Sequence, residues 1–98
     1  MTVVWLEQAE VDLHLIVEYL LERNPQAAVD VYEAIRQQVG KLADFPLISR
    51  PGRVKGTREL VITGLPYIIP YYVKGQEVRI LAVLHTSRKW PDEFTNLE

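Results

Sequence analysis

The sequence predicts an α+β fold of two layers, a helical hairpin packed on a mainly antiparallel sheet. Three observations carry this. Apolar residues recur at three- and four-residue steps through two segments, 7–23 and 25–44. A single Asn24-Pro25 step separates those segments. From residue 58 onward the pattern changes to short β-branched and aromatic runs broken by glycine turns.

The elements follow in order. Val3, Val4, Trp5 and Leu6 read as a short buried strand, with Trp5 in the core. The first helix is predicted from Glu7 to Arg23, roughly 25 Å long at ~1.5 Å per residue. Its apolar stripe is Ala9, Leu13, Ile16, Val17, Leu20 and Leu21, and acids near its start suit the positive end of the helix dipole. Asn24 is a good N-cap and Pro25 suits the first helical position, where a missing N–H costs nothing. The second helix buries Ala28, Val31, Ile35, Val39 and Leu42, and ends at Asp44-Phe45-Pro46 because proline disfavours a helical residue before it. So short a link makes the two helices an antiparallel hairpin.

Residues 46–56, with two prolines, two glycines and three cations, read as an exposed loop. A three-stranded antiparallel meander follows: Leu60-Val61-Ile62, then Tyr67 to Val73, then Val78 to Leu84. Gly64 turns the first hairpin and Lys74-Gly75-Gln76-Glu77 the second. Pro70 cannot donate to a ladder, so a bulge or an edge is expected beside it. Trp90 and Phe94 are expected to anchor the tail.

Ninety-eight residues, 48% of them hydrophobic, are expected to make one domain, 1–98, with a modest core. Cysteine is absent, so neither disulfides nor a thiolate metal site can staple it. No apolar run reaches the ~20 residues needed to span a bilayer, and the first residues lack the charged and apolar regions of a signal peptide. The expectation is a soluble, cytoplasmic protein with no membrane partner.

Charge is unevenly distributed. Residues 45–89 hold eight Lys/Arg against two Asp/Glu, whereas residues 1–44 hold three against eight, in a chain of net charge −2. A basic region on an acidic protein points to an anionic partner; alternatively, the two halves attract each other on folding. The surface that would meet a target is assigned to Arg53, Lys55, Arg58, Tyr72, Arg79, Arg88 and Lys89. His85 ends the last strand with Arg88 and Lys89 close behind, and two hairpin reversals could bring Arg58, Tyr72 and His85 together. A neutral imidazole there could act as general base toward an RNA 2′-hydroxyl while Arg and Lys hold a phosphate. The alternative is that His85 merely finishes a strand. His14, on the first helix, is read as a surface or structural residue. Tyr67, Tyr71 and Tyr72 could stack on bases, or pack as core and cross-strand pairs. No His, Cys or acidic residues fall at metal-ligand spacing, and neither metal nor cofactor is expected.

Several pieces taken in order resemble the RelE/ParE superfamily of bacterial type II toxin–antitoxin toxins. They are Trp5-Leu6-x-x-Ala9-x-x-Asp12-Leu13-x-x-Ile16-x-x-Tyr19-Leu20, Asn24-Pro25-x-Ala27-Ala28, Arg58-Glu59-Leu60-Val61, Pro66-Tyr67, and Ile80-Leu81-x-Val83-Leu84-His85-x-x-Arg88-x-Trp90. The resemblance implies a metal-independent ribosome-dependent mRNA interferase in RelE-like members, with Arg58 and His85 as the catalytic pair. In ParE-like members it implies a toxin that does not cut RNA and, in the better-known cases, inhibits DNA gyrase. The lysine-rich pattern and C-terminal tyrosine of RelE are missing, and Ser87-Arg88-Lys89-Trp90-Pro91 stands at that end. The expectation is therefore ParE-like. Either branch implies a cognate antitoxin that wraps the toxin with its C-terminal segment, and an oligomeric toxin–antitoxin complex. A third possibility is a non-toxic relative that only binds its antitoxin.

Overall fold

A computed structural model describes residues 1–87. β1 (Thr2–Trp5) leads through Leu6 straight into α1 (Glu7–Arg23), and α2 (Pro25–Gly40) follows after the single residue Asn24. A 3-10 turn, Lys41–Ala43, continues the second helix. Then come β2 (Arg50–Pro51), β3 (Arg58–Val61), β4 (Tyr67–Lys74), β5 (Glu77–Ile80) and β6 (Leu84–His85). The strands form one mixed sheet in the order β1-β5-β4-β3-β2, and β6 pairs with β4 beyond the end of β5. β1 is parallel to β5 and the other ladders are antiparallel.

The hairpin forms as its punctuation dictates. The Asn24 side-chain oxygen accepts the Ala27 N–H at 3.2 Å, and Pro25 opens α2 where its missing N–H has no helical partner to lose. The helices run antiparallel: Glu10 in the first turn of α1 pairs with Arg36 near the end of α2 at 3.2 Å. The Arg36 guanidinium also lies 4.3 Å from the centre of the Trp5 ring, so one cation joins β1, α1 and α2.

The core sits between the hairpin and one face of the sheet. Ala9 and Leu13 of α1, Val31, Ile35 and Val39 of α2, and Leu42 meet Ile69, Tyr71, Val78 and Ile80. Each fully buried Leu or Ile contributes on the order of 2 kcal/mol to folding. Alternate residues of the central strand β4 point to the opposite face, yet Ile68, Pro70 and Tyr72 are buried too. That explains the nearly continuous apolar run of this strand.

Five details differ from the sequence reading. Helix two stops at Gly40 rather than near Asp44. The loop contains β2, in which Arg50 pairs with Glu59 and Pro51 with Arg58, and β3 accordingly starts at Arg58. Proline is tolerated there because β2 is an edge. The meander is flanked by β1. Leu21 is half exposed, because it lies about 100° around the helix from Leu20, past the flank of the stripe. Finally, the last strand is not continuous from Val78 to Leu84.

That break follows from Pro70. Its carbonyl accepts the Leu81 N–H at 2.9 Å, so its missing N–H would have faced the same neighbour. Tyr71 pairs with Ile80, but Ile68 pairs with Leu84 and Tyr67 with His85. One extra residue has been inserted on the β5–β6 side, which is a β-bulge spanning Leu81 to Val83. The Val83 N–H, freed from the ladder, donates to Asp12 Oδ2 of α1 at 3.0 Å. The other Asp12 oxygen accepts from Gln8 at 2.8 Å.

Replacing Asp12 by Ala leaves the buried Val83 N–H without its acceptor. The expected loss is about 1–3 kcal/mol by urea unfolding. Asp30→Ala, on an exposed helix position, should change stability by less than about 0.5 kcal/mol.

Candidate functional site

A groove of about 420 Å³ runs between α1 and the end of the sheet, lined by Asp12, Leu15, Ile16, Tyr19, Tyr67, Val83, His85 and Ser87. It exists because α1 carries apolar residues beyond its core stripe. Leu15 and Tyr19 lie one turn apart on the flank facing β6, and they are 57% and 58% exposed. The Arg23 guanidinium lies 3.7 Å from the centre of the Tyr19 ring and donates to the Tyr19 carbonyl, which holds the ring in place. Opposite, His85 meets Tyr67 edge to face, with ring centroids 5.6 Å apart. Among the described residues β6 pairs only with β4.

The hydrogen bonds of His85 define its chemistry. Its Nδ1 accepts the Ser87 backbone N–H at 3.1 Å and lies 2.8 Å from the Ser87 hydroxyl. A backbone N–H can only donate, so Nδ1 presents its lone pair and the neutral ring carries its proton on Nε2. Burial pushes the Tyr67 phenol above its ordinary pKa, so it stays protonated at neutral pH. The imidazole lone pair is thus engaged within its own turn, and the groove receives apolar surface and N–H and O–H donors.

Arg58 lies elsewhere. It pairs with Tyr71 across β3 and β4, whereas His85 pairs with Tyr67 on the other flank of β4. Those two tyrosines are about 13 Å apart along the strand at ~3.3 Å per residue. Arg58 donates to the carbonyls of Leu47 at 3.1 Å and Ser49 at 2.9 Å. The expected convergence of Arg58, Tyr72 and His85 on one region is therefore not found: strand register separates Arg58 from His85, and Tyr72 faces the opposite side of the sheet.

The remaining cations among the described residues are dispersed. Arg53 and Lys55 are exposed in the turn between β2 and β3. Arg79 pairs with Glu77 at 2.9 Å and donates to the Tyr72 hydroxyl at 3.2 Å; these two bonds, Tyr72 first, hold its pKa above the ordinary value. Arg50 pairs with the buried Glu59. Arg88 and Lys89, with the tail anchors Trp90 and Phe94, lie outside the described residues. Among the described residues no three His, Asp or Glu are grouped as a metal would require, and no helix is long and apolar enough to cross a membrane.

Sequence reasoning missed one feature. Phe45, Leu47 and Ile48 form an apolar run in the loop after α2, with exposures of 59%, 64% and 60%. The signal was an apolar trio around Pro46 that belongs to neither helical nor strand periodicity.

Comparison with known proteins places this arrangement. The family model for the ParE toxin of the type II toxin–antitoxin system parDE matches residues 3–90. A candidate toxin of Sinorhizobium fredii, Y4kP, is 42% identical over 87 residues, covering 89% of this chain and 90% of that protein. Toxin RelE2 of Caulobacter vibrioides is 34% identical over 86 residues, covering 88% and 96% respectively. A solved structure described as the chromosomal ParDE toxin–antitoxin system from P. aeruginosa superposes with a TM-score of 0.79 at 30% identity, over 87% of this chain and 95% of that one. The two helices, the mixed sheet and these matches agree, and the chain belongs to the ParE toxin family of type II toxin–antitoxin systems.

Proposed function

We propose that this toxin arrests growth in the bacterial cytoplasm by binding a protein target, DNA gyrase, and that it does not cleave RNA. The observation carrying this reading is the Nδ1 of His85, whose lone pair accepts the Ser87 N–H while the Arg58 Nη2 donates to loop carbonyls on the far flank of β4. A general base needs a free lone pair within reach of the proton it takes, and a phosphate clamp beside it. The two residues that the RelE branch would use are not adjacent, and the base is occupied at Nδ1. Family membership supports the ParE-type target.

The groove between α1 and β6 is the seat for the cognate antitoxin. A segment of it would place apolar side chains on Leu15 and Tyr19, either as a helix lying in the groove or as an extended strand whose backbone pairs with the edge of β6. The Nε2–H of His85 offers a donor at its rim. Such a segment orders as it binds, and the toxin–antitoxin complex assembles as an oligomer.

The relative named RelE2 makes mRNA cleavage the second reading. Purified wild-type toxin should inhibit supercoiling of relaxed plasmid by gyrase. Growth arrest with full supercoiling activity would exclude gyrase. His85→Ala should reduce growth arrest less than about 3-fold, because an imidazole with no chemical role can be removed; a general base contributes 10²–10⁴-fold. Leu15→Asp with Tyr19→Asp should weaken antitoxin binding at least about 100-fold by calorimetry, since a charge replaces each apolar anchor, while toxicity persists. Undiminished antitoxin affinity would place the antitoxin elsewhere.

A further inference from the structure

The loop after α2 has an architecture that folding alone does not require. Phe45, Leu47 and Ile48 point outward in one short run, each more than half exposed. The backbone beneath them is fixed from the core. The hydroxyl of Tyr71, a residue with no exposed surface, donates to the Pro46 carbonyl at 2.7 Å. That hydroxyl has one proton, so in its contact with Ser49 the serine is the donor. Arg58 adds two bonds, to Leu47 and Ser49. The loop is thus a rigid platform that presents three apolar side chains to solvent. Preorganisation of this kind lowers the ordering cost of binding, and contiguous exposed apolar surface marks an interaction site.

The surroundings indicate what would bind. Arg53 and Lys55 are exposed in the turn that follows β2, two cations against the one exposed acid of the loop, Asp44. Arg50 pairs with Glu59, and the Arg58 Nη2 donates to the loop carbonyls. A nucleic acid would require cations free for phosphates and flat rings for bases. Of the three platform side chains only Phe45 is a flat ring, and Leu47 and Ile48 are aliphatic, which favours a protein surface. We infer that the Phe45–Ile48 platform is the surface through which the toxin grips its protein target, inserting into an apolar pocket rimmed by acidic side chains. This rests on the reading that the toxin acts by binding a protein. The platform lies beside Tyr71, whereas the groove lies beside Tyr67 on the other flank of β4, so target and antitoxin meet different surfaces.

The test uses the full chain. Phe45→Ser, Leu47→Ser and Ile48→Ser are combined in one variant, and Arg53→Glu with Lys55→Glu in another. Purified gyrase is the target probe, and the small antitoxin encoded beside the toxin is the folding and groove probe. Both variants should bind the antitoxin within about 3-fold of wild type. The serine variant should lose gyrase inhibition at least about 30-fold, and the charge-reversed variant about 10-fold, with matching loss of growth arrest. Full gyrase inhibition by the serine variant would overturn the assignment. Parallel loss of antitoxin binding, with an unchanged melting temperature, would give the platform to the antitoxin instead. Growth arrest by a wild-type toxin that leaves gyrase untouched would remove the target reading beneath the proposal, and the proposal with it.

Discussion

A proline in the middle of the central strand sets the geometry of the molecule's working end. Pro70 has no N–H to offer β5, and the ladder between β4 and the last strand slips there by one residue. Side chains alternate along a strand, so a one-residue slip turns everything beyond it to the other face. In unbroken register Leu84 would lie opposite Tyr67, and His85 would point away from the helices. The bulge instead places His85 opposite Tyr67, on the side facing α1. It also frees the Val83 N–H, which Asp12 accepts from α1. The same break therefore creates the groove wall and the hydrogen bond that holds the wall to the helix.

The consequence for function is a separation of surfaces. The groove combines apolar side chains, a strand edge unpaired among the described residues, and hydrogen-bond donors. The far flank of β4 carries a different device, in which the Tyr71 hydroxyl and the Arg58 Nη2 donate to the carbonyls of a loop. Among the described residues, Arg58 and His85 lie on opposite flanks of β4.

Much of the fold was legible in the sequence. Asn24-Pro25 marked the hairpin because capping and the fixed proline φ are local effects. The stripes of α1 and α2 were readable from period alone, with Leu21 misplaced where the stripe ends. Pro70 announced a break, and the structure resolves it as a bulge. What could not be read was register. The bond between Asp12 and Val83 joins residues 71 positions apart, and nothing local in either segment encodes it. For the same reason Arg58 and His85, both sensible as isolated candidates, were expected together and lie apart. The two-residue strand β2 was hidden because Arg50-Pro51 lacks strand propensity, and pairing with β3 supplies what propensity does not.

The measurement that tests this account most directly is 5′-end mapping of cellular mRNA during induced growth arrest, with a DNA-damage reporter in the same cells. The account predicts damage signalling with no new cleavage sites in translated messages. Cleavage at codon-specified positions without a damage response would contradict it, and would make His85 and Arg58 parts of a nuclease.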